Sequence, residues 1–577
     1  MCDTNLDYLG KISVRKDKHR FDRPIPKKTR LHVQKIVIKA IYKYATPELA
    51  DRVINGYRRS DASDESAEID FLKTDQPYVD LPRDFHYCRS LRVTEQLFRP
   101  SRRLKPISFP DLRYYPWTLN TSAEVPFTNS KYWEGIIRQK QSDGDIEDGA
   151  TSFHNLYNEV FHINRKHVHI IKRRLPPFWN TNGEPEPYLW SSLHTRAHLV
   201  KSENPDKNRA VFGVTKLLLM TENMFIWNLQ KEYLNQIVKS PMMWGFETVR
   251  GGWMKIWRET HKDGPPSSVL SADWSGFDHK VLHEIIDDVH IMWRNWFDFD
   301  QGYEPTNTYP NTTTRPEQIQ NLWDWMTYSI KHTAIRCQSG KTYRWKFNGL
   351  ASGYQQTQLL GSFVNCVMLL TCLSSIGINI EAPTFKIFVQ GDDSLVTFNE
   401  MVFIHETKPF LLKLEKDARR RFNADLSVEK SFAGQSLSDV EVLSYKNRSG
   451  IAYRDEAELL AHLLYPERHR DLAATAASAI GIATAAMGCS RTVYDICHDV
   501  YNFIVNELGI SPHPRGVHWM TRVHIPISID VFPSFQQTSA QNWCLTERSK
   551  SDNNRLWPTQ PIGQTDDKPD GFYFLNH

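Results

Sequence analysis

Two periodicities organise the chain. Between Phe385 and Phe398 (FKIFVQGDDSLVTF), runs of β-branched and aromatic residues flank Gly391-Asp392-Asp393, the pattern of a hairpin with two acids at its tip. Residues 333–347 (TAIRCQSGKTYRWKF) alternate about Ser339-Gly340, with Arg344 and Lys346 on one face and Tyr343, Trp345 and Phe347 on the other, which predicts a second hairpin. A shorter apolar strand in VLSADWSGFD delivers Asp273, and the chain then turns into a helix that presents Asp278. Helical spacing governs residues 31–44. There Val33, Val37, Ala40, Ile41 and Tyr44 share one face, while Lys35, Lys39 and Lys43 form another that is either solvated or phosphate-contacting.

Longer apolar stretches need a membrane test. No charged residue occurs between Lys346 and Glu381, so residues 359–378 are long enough to span a bilayer. The polar Gln355, Gln356, Thr357, Gln358 and Asn365, with a strand pattern close behind, instead predict a helix buried in a soluble core. The Ala-rich run from Leu472 to Cys489 predicts a helix packed closely on its neighbours. Residues 60–70 and 142–149 read as acidic, turn-rich loops, and residues 301–317 as a Pro/Asn/Thr-rich loop before the helical IQNLWDWMTYSIKH. From Arg548 the chain reads as a polar tail. It carries no internal repeat.

Length and charge sharpen this only in part. A chain of 577 residues implies several subdomains, and 40% apolar with 24% charged residues excludes a disordered or collagen-like protein. The net charge is only +4, but residues 11–43 hold twelve Lys/Arg against two Asp, so the basic charge is local. Eight Cys without a CxxC pair argue against a zinc cage or a secreted disulfide framework and for a reducing compartment. No signal-peptide run is visible, and four early Asp fit a mitochondrial presequence poorly.

The candidate chemistry lies in the acids. A lone Gly-Asp-Asp arises by chance in roughly one such chain in ten and reads equally as a structural turn. Its strands change that, because a hairpin tip holds acids where a hard cation reaches them. If the strand before Asp273 lies beside the hairpin, Asp273 and Asp392 converge, and two or three carboxylates around two divalent cations make a clamp for in-line phosphoryl displacement. Asp278, about one helical turn on, would lie near a bound nucleotide's sugar; alternatively it caps a helix over 279–290. Asp287-Asp288 and Asp566-Asp567 have no strand to hold them. Between the acidic strands, NGLASGYQQTQLLGSFVN opens a helix from a Gly-containing loop, where Ser352, Gly353 and Thr357 offer small hydroxyls and flexible backbone to a nucleic-acid strand. For Ser352 the alternative is a helix cap. His279 and His283 have metal-ligand spacing but read as helix surface, and Gly340-Lys341-Thr342 lacks the first Gly of a P-loop.

The order D-x4-D, SG-x3-T, GDD resembles motifs A, B and C of viral RNA-dependent RNA polymerases. The wording (ADWSGFD, NGLASGYQQTQLLGSFVN, QGDDS, FNADLSVEKS, VLSYKNRSG) is most similar to the partitiviruses, small double-stranded RNA viruses, and picobirnavirus enzymes are similar too. The resemblance covers about residues 195–470. Lys207-Asn-Arg209-Ala-Val-Phe-Gly213 resembles motif F, with Thr215 where the family has Pro; Asn423–Ser431 resembles motif D, and Val442–Tyr445 motif E with Ser for Gly. In motif B, relatives carry Asn or Asp where this chain has Gly361, with Asn365 one turn on as a substitute.

The resemblance implies an α+β right hand with an antiparallel palm sheet and helix-rich fingers and thumb. Its implied divisions are an N-terminal basic arm and fingertip region bridging toward the thumb (1–100), fingers (101–262), palm with motif A (263–300), a fingers insertion (301–345), palm with motifs B to E (346–446), and thumb with tail (447–577). It implies Asp273, Asp392 and Asp393 as Mg2+ or Mn2+ ligands and Lys430 as proton donor to pyrophosphate. Lys207, Arg209, Asp278, Ser352, Gly353, Thr357 and Asn365 would bind substrate. It further implies RNA template and product, NTPs and capsid protein as partners, a monomer without a membrane, and location in the virion interior and host cytoplasm. Two rival readings remain: a reverse transcriptase, which usually has a bulky aromatic in place of Asp278, and a non-catalytic RNA-packaging capsid protein using residues 11–43.

Overall fold

The computed structural model describes residues 4–13, 25–235, 240–306, 309–438, 440–517 and 528–543. Part of the basic arm, the tail from Arg548 and the Asp566-Asp567 pair lie outside these residues. At the centre is a four-stranded antiparallel sheet in the order Lys386–Gln390, Asp393–Phe398, Ser268–Ala272, Phe432–Gly434. Alternation sends its side chains into two cores. Leu270, Val389 and Val396 join one cluster, and Val269, Phe388 and Leu395 join another with Met243, Phe246 and Trp253. Burial on both faces explains why these strands read as continuous apolar runs.

Beneath the sheet runs the Thr357–Ser375 helix, the one described helix long and apolar enough to cross a membrane. Its apolar window is 89% buried, so it is a core element. A five-stranded sheet lies beyond it in the order Leu6–Lys11, Lys341–Trp345, Ala334–Arg336, Trp190–Ala197, Asn208–Gly213. It contains the hairpin expected about Ser339-Gly340.

The N-terminal segment ties separate parts together. The Lys27–Tyr44 and Pro47–Ile54 helices bury Ile36, Val37, Ile41, Leu49 and Val53 in a cluster with the Glu456–Leu464, Leu472–Ala485 and Arg491–Asn502 helices. The next strand, Tyr57–Arg59, pairs with Leu199–Lys201, and Arg59 donates back to the Tyr465 carbonyl. Arg196 and Glu467 add a bidentate pair at 2.9 Å across the same gap. The Ala-rich helix is closely packed as expected: a Cβ on Gly516 would fall 2.1 Å from the Ala474 carbonyl oxygen.

Residues 60–70 are not a loop. Ser63 and Ser66 form a reciprocal capping box at 3.0 and 3.1 Å and start a helix, Asp64–Leu72, whose first-turn acids suit its dipole. Its later acids are buried, Glu68 against Lys341 and Asp70 against Lys73. The helix expected over 279–290 is broken. Phe277–Lys280 forms one turn and His283–Trp296 a separate helix. Consequently His279 and His283 do not share a surface: His279 faces Asp70 at 3.5 Å, and His283 is buried against the Gly349 carbonyl.

Candidate active site

The acidic tip is a two-residue turn. Gln390 pairs with Asp393, leaving Gly391 and Asp392 between the strands, and Gly391 has φ +62°, a conformation glycine takes without strain. The neighbouring strand pairs Ala272 with Ser394, so Asp273, one residue on, emerges beside Asp393 with Asp392 on the turn. The carboxylates meet at the end of adjacent strands, as the apolar pattern implies.

Asp273 is fixed through its backbone. Its N–H donates to Ser431 Oγ at 3.0 Å, and its carbonyl accepts from Ser427 N–H at 2.8 Å. That turn also carries the exposed Lys430 to the cluster. Beyond Asp273, Trp274–Ser275 continues as a strand paired with Asp425–Leu426, and Gly276 (φ +63°) turns the chain into the Phe277–Lys280 helix. Asp278 therefore follows a strand and a left-handed turn, not a helical turn. It caps neither helix, since the residues at those positions are Gly276 and Leu282.

The electrostatics show which groups face one another. Burial pushes Asp273 above the usual carboxylate range; Lys430 opposes this and Asp392 adds to it. Asp393 is pushed up to about 7 by burial, then by Asp392, Asp273 and Glu441. Asp278 keeps solvent-exposed surface yet is surrounded by protein, and that burial followed by the Asp392 charge takes it to about 6. Lys207 is lowered, by burial first and then by Arg209 and Lys430, and Asp273 and Asp392 also act on it. Arg209 in turn acts on Asp273, Asp278 and Asp393. Four acids and three cations separated by up to 223 residues thus act on one another at one place.

The loop before the Thr357–Ser375 helix packs on the strand that carries Arg209. A Cβ on Gly353 would lie 2.0 Å from the Phe212 carbonyl oxygen, so only glycine permits this approach. Ser352 is exposed and does not cap the helix, whose N-cap residue is Gln356; Thr357 donates to the Ala351 carbonyl.

Asn365 is a correction. It has no exposed surface, its Oδ1 accepts from Trp274 Nε1 at 2.8 Å, and its Nδ2 faces the carbonyls of Gly391, Asp392 and Asp393 at 3.0, 3.0 and 3.3 Å. Both ends of its amide are thus taken up within the protein, by Trp274 and by the tip. One turn earlier, Ser362 Oγ accepts from Gly391 N–H at 2.8 Å. A Cβ on Gly361 would lie 3.6 Å from Gly391 and from the Phe277 ring, so that position faces the tip.

Sequence reasoning also missed Asp70. This buried carboxylate accepts from Ala210 N–H at 2.9 Å in the Arg209 strand and faces His279 beside Asp278. Burial alone would raise it, but His279, Ala210 N–H and Lys73 hold it well below its ordinary value. The capping pair Ser63/Ser66 was the one signal that could have found its helix.

The donors suit a hard divalent cation, being carboxylates alone. Among the described residues, Asp273, Asp392 and Asp393 have no ion-pair partner within 4 Å, and no three His, Cys, Asp or Glu side chains close around an ion.

Residues 115–480 match the family model described as viral RNA-dependent RNA polymerase. The chain is 28% identical to the RNA-directed RNA polymerase of White clover cryptic virus 1 (isolate Boccardo/2004) over 97% of its length and 96% of that protein. It is 27% identical to the RNA-directed RNA polymerase of Atkinsonella hypoxylon virus (isolate 2H) over 70% of its length and 65% of that protein. Every residue of the cluster, from Lys207 to Lys430, falls inside the matched span.

Proposed function

The chain belongs to the viral RNA-dependent RNA polymerases and is an RNA-directed RNA polymerase; on that premise we propose that it replicates and transcribes a double-stranded RNA genome by two-metal nucleotidyl transfer at Asp273 and Asp392, with Asp393 beside them. The observation that carries this is the convergence of Asp273 with the hairpin tip, where the Asp392 charge raises Asp273 and Asp393 and, among the described residues, none of the three has an ion-pair partner. When bound, Mg2+ or Mn2+ would activate the attacking oxygen and neutralise the departing pyrophosphate. The chain's own groups do the rest. Lys207 and Arg209 grip the triphosphate, Asp278 accepts from the ribose 2′-OH, and Lys430 holds a proton for pyrophosphate. Ser352, Gly353 and Thr357 bring the loop close to RNA.

In this reading the central sheet and residues 263–300 and 346–446 are palm, 101–262 and 301–345 are fingers, and 447–577 are thumb and tail. Residues 1–100 are the bridge, which the packing of Lys27–Tyr44 and the pairing of Tyr57–Arg59 support. The enzyme acts as a monomer in the virion interior and host cytoplasm, with capsid protein as a further partner. The test is incubation of the purified chain with single-stranded RNA, four NTPs and Mg2+, followed by sizing of the product. Template-length RNA is expected from wild type and none from Asp392→Asn; equal synthesis by both would reject the site.

A further inference from the structure

Behind the Ser352–Thr357 loop lies a buried acid that this chemistry does not use. Glu222, in the Lys216–Asn235 helix, has no exposed surface and no ion-pair partner among the described residues. Its carboxyl oxygens accept from Gln355 N–H at 3.3 Å, Gln356 N–H at 3.2 Å and Gln356 Nε2 at 3.1 Å. The Gln355 carbonyl accepts from Gln230 Nε2 at 3.3 Å, two turns further along the same helix, and the Gln355 amide donates to Tyr115 OH. Gln356 is itself buried, and its Oε1 accepts from His290 Nε2 at 2.7 Å.

An acid in an apolar interior is costly unless its acceptors are in use. Here they are, and by main-chain donors at the start of the Thr357–Ser375 helix, which has no side-chain cap of its own. We propose that Glu222 is a positioning residue for RNA synthesis. By holding Gln355 and Gln356 it sets the Ser352–Gly353 turn against the Arg209 strand. This rests on the reading of that turn as substrate-facing.

Burial pushes the Glu222 carboxyl up to about 8 against the pull of its three donors. The titratable group facing it is Tyr354; Tyr115 meets Gln355 and His290 meets Gln356, and burial lowers His290 to about 4, so it stays neutral. Ionised Glu222 satisfies all three donors. A proton places an O–H among N–H groups, so the hold strengthens as pH rises through about 8 and weakens below it.

The test compares wild type, Glu222→Gln and Gln356→Ala for melting temperature, NTP and template kinetics, and pH profile. Glu222→Gln keeps the volume but turns one acceptor into a donor. It should melt no lower than wild type, lose about ten- to a hundredfold in kcat/KM for NTP above pH 8, where the wild-type acid is ionised, and lose the rise in rate centred near pH 8. Adding Gln356→Ala should cost little more, because both act through one contact. A purely structural acid would move only the melting temperature. Wild-type kinetics and pH profile in Glu222→Gln, or fully additive losses in the double variant, would overturn the proposal. The underlying reading fails separately, through wild-type NTP and template kinetics in Ser352→Ala.

Discussion

The Thr357–Ser375 helix supports an acidic cluster near each end, and the two are wired in opposite senses. Near its start, Ser362 and Asn365 hold the hairpin tip, where Asp273 and Asp393 are raised and no cation sits within ion-pair distance among the described residues. At its end, Ser375 donates to Asp417 at 2.6 Å, and the buried Arg421 bridges Asp417 and Asp84 at 2.8 and 2.7 Å. Burial alone would raise Asp417 and Asp84 as well. Hydrogen bonds and the Arg421 charge outweigh it, and both lie below their ordinary values. One cluster spends its charge on the fold; the other, among the described residues, leaves it without a cation partner.

The strongest way to break this comparison is to remove charge from the first cluster. Asp273→Asn or Asp392→Asn should lower RNA synthesis by orders of magnitude with RNA binding retained, because neutralising an acid removes no cation that could contact phosphate. Relief of like-charge crowding should leave the melting temperature unchanged or raised. Product sizing, filter binding and a thermal melt read the three effects, and a large loss of stability would show that these acids are structural after all.

The opposite result is expected at the rear. Arg421→Leu leaves Asp417 and Asp84 without their buried partner and should cost about 3–5 kcal/mol in urea unfolding. Polymerase kinetics of the folded fraction should be unchanged. pH separates the clusters without mutation. Asp393, raised to about 7, makes the ion-free fold lose stability as pH climbs from near 4 through about 7. Asp417, lowered, contributes stability above its ordinary value that is lost only in acid. Melting temperatures across pH 5–8 should therefore fall without divalent ions and recover with Mg2+. A flat metal-free curve, or recovery with Mg2+ in Asp393→Asn equal to wild type, would remove the distinction.

Lys430 is the exposed cation of the first cluster, acting on Asp273 from the turn that holds it. Lys430→Leu should reduce single-turnover addition about 10²-fold and flatten the decline of rate at high pH. Stability should be untouched, because the side chain is exposed and the turn is held by Ser427 and Ser431. An unchanged pH profile would make Lys430 a bystander.

The first cluster was legible in the sequence because strands announce themselves by alternation and a tight turn by its glycine. The rear cluster was not, since Asp84, Ser375 and Arg421 are far apart along the chain. Asn365 was misjudged for a related reason: helical spacing puts it one turn beyond the expected position but does not say that Trp274 and three carbonyls meet there. The helix over Asp64–Leu72 was lost to composition, because its acids look solvated until Lys341, Lys73 and Ala210 N–H are found beside them. Glu222 and Gln356, 134 residues apart, left no local signal.

Asp278 gives the smallest and most specific test. Its partners are the cluster's own charges, yet solvent reaches it, so its hydrogen bond to a 2′-OH should be worth only about 1.5 kcal/mol, the low end for a charged acceptor. At about 6 it is mostly ionised at neutral pH and able to accept. Asp278→Ala should lower the NTP to dNTP efficiency ratio about tenfold, with the melting temperature held or raised because a crowded carboxylate is lost. The ratio for wild type should also fall below pH 6, as protonation removes the charged acceptor. An unchanged ratio with a lowered melting temperature would assign Asp278 to the fold, place it with Asp417, and leave sugar selection to the loop at Ser352.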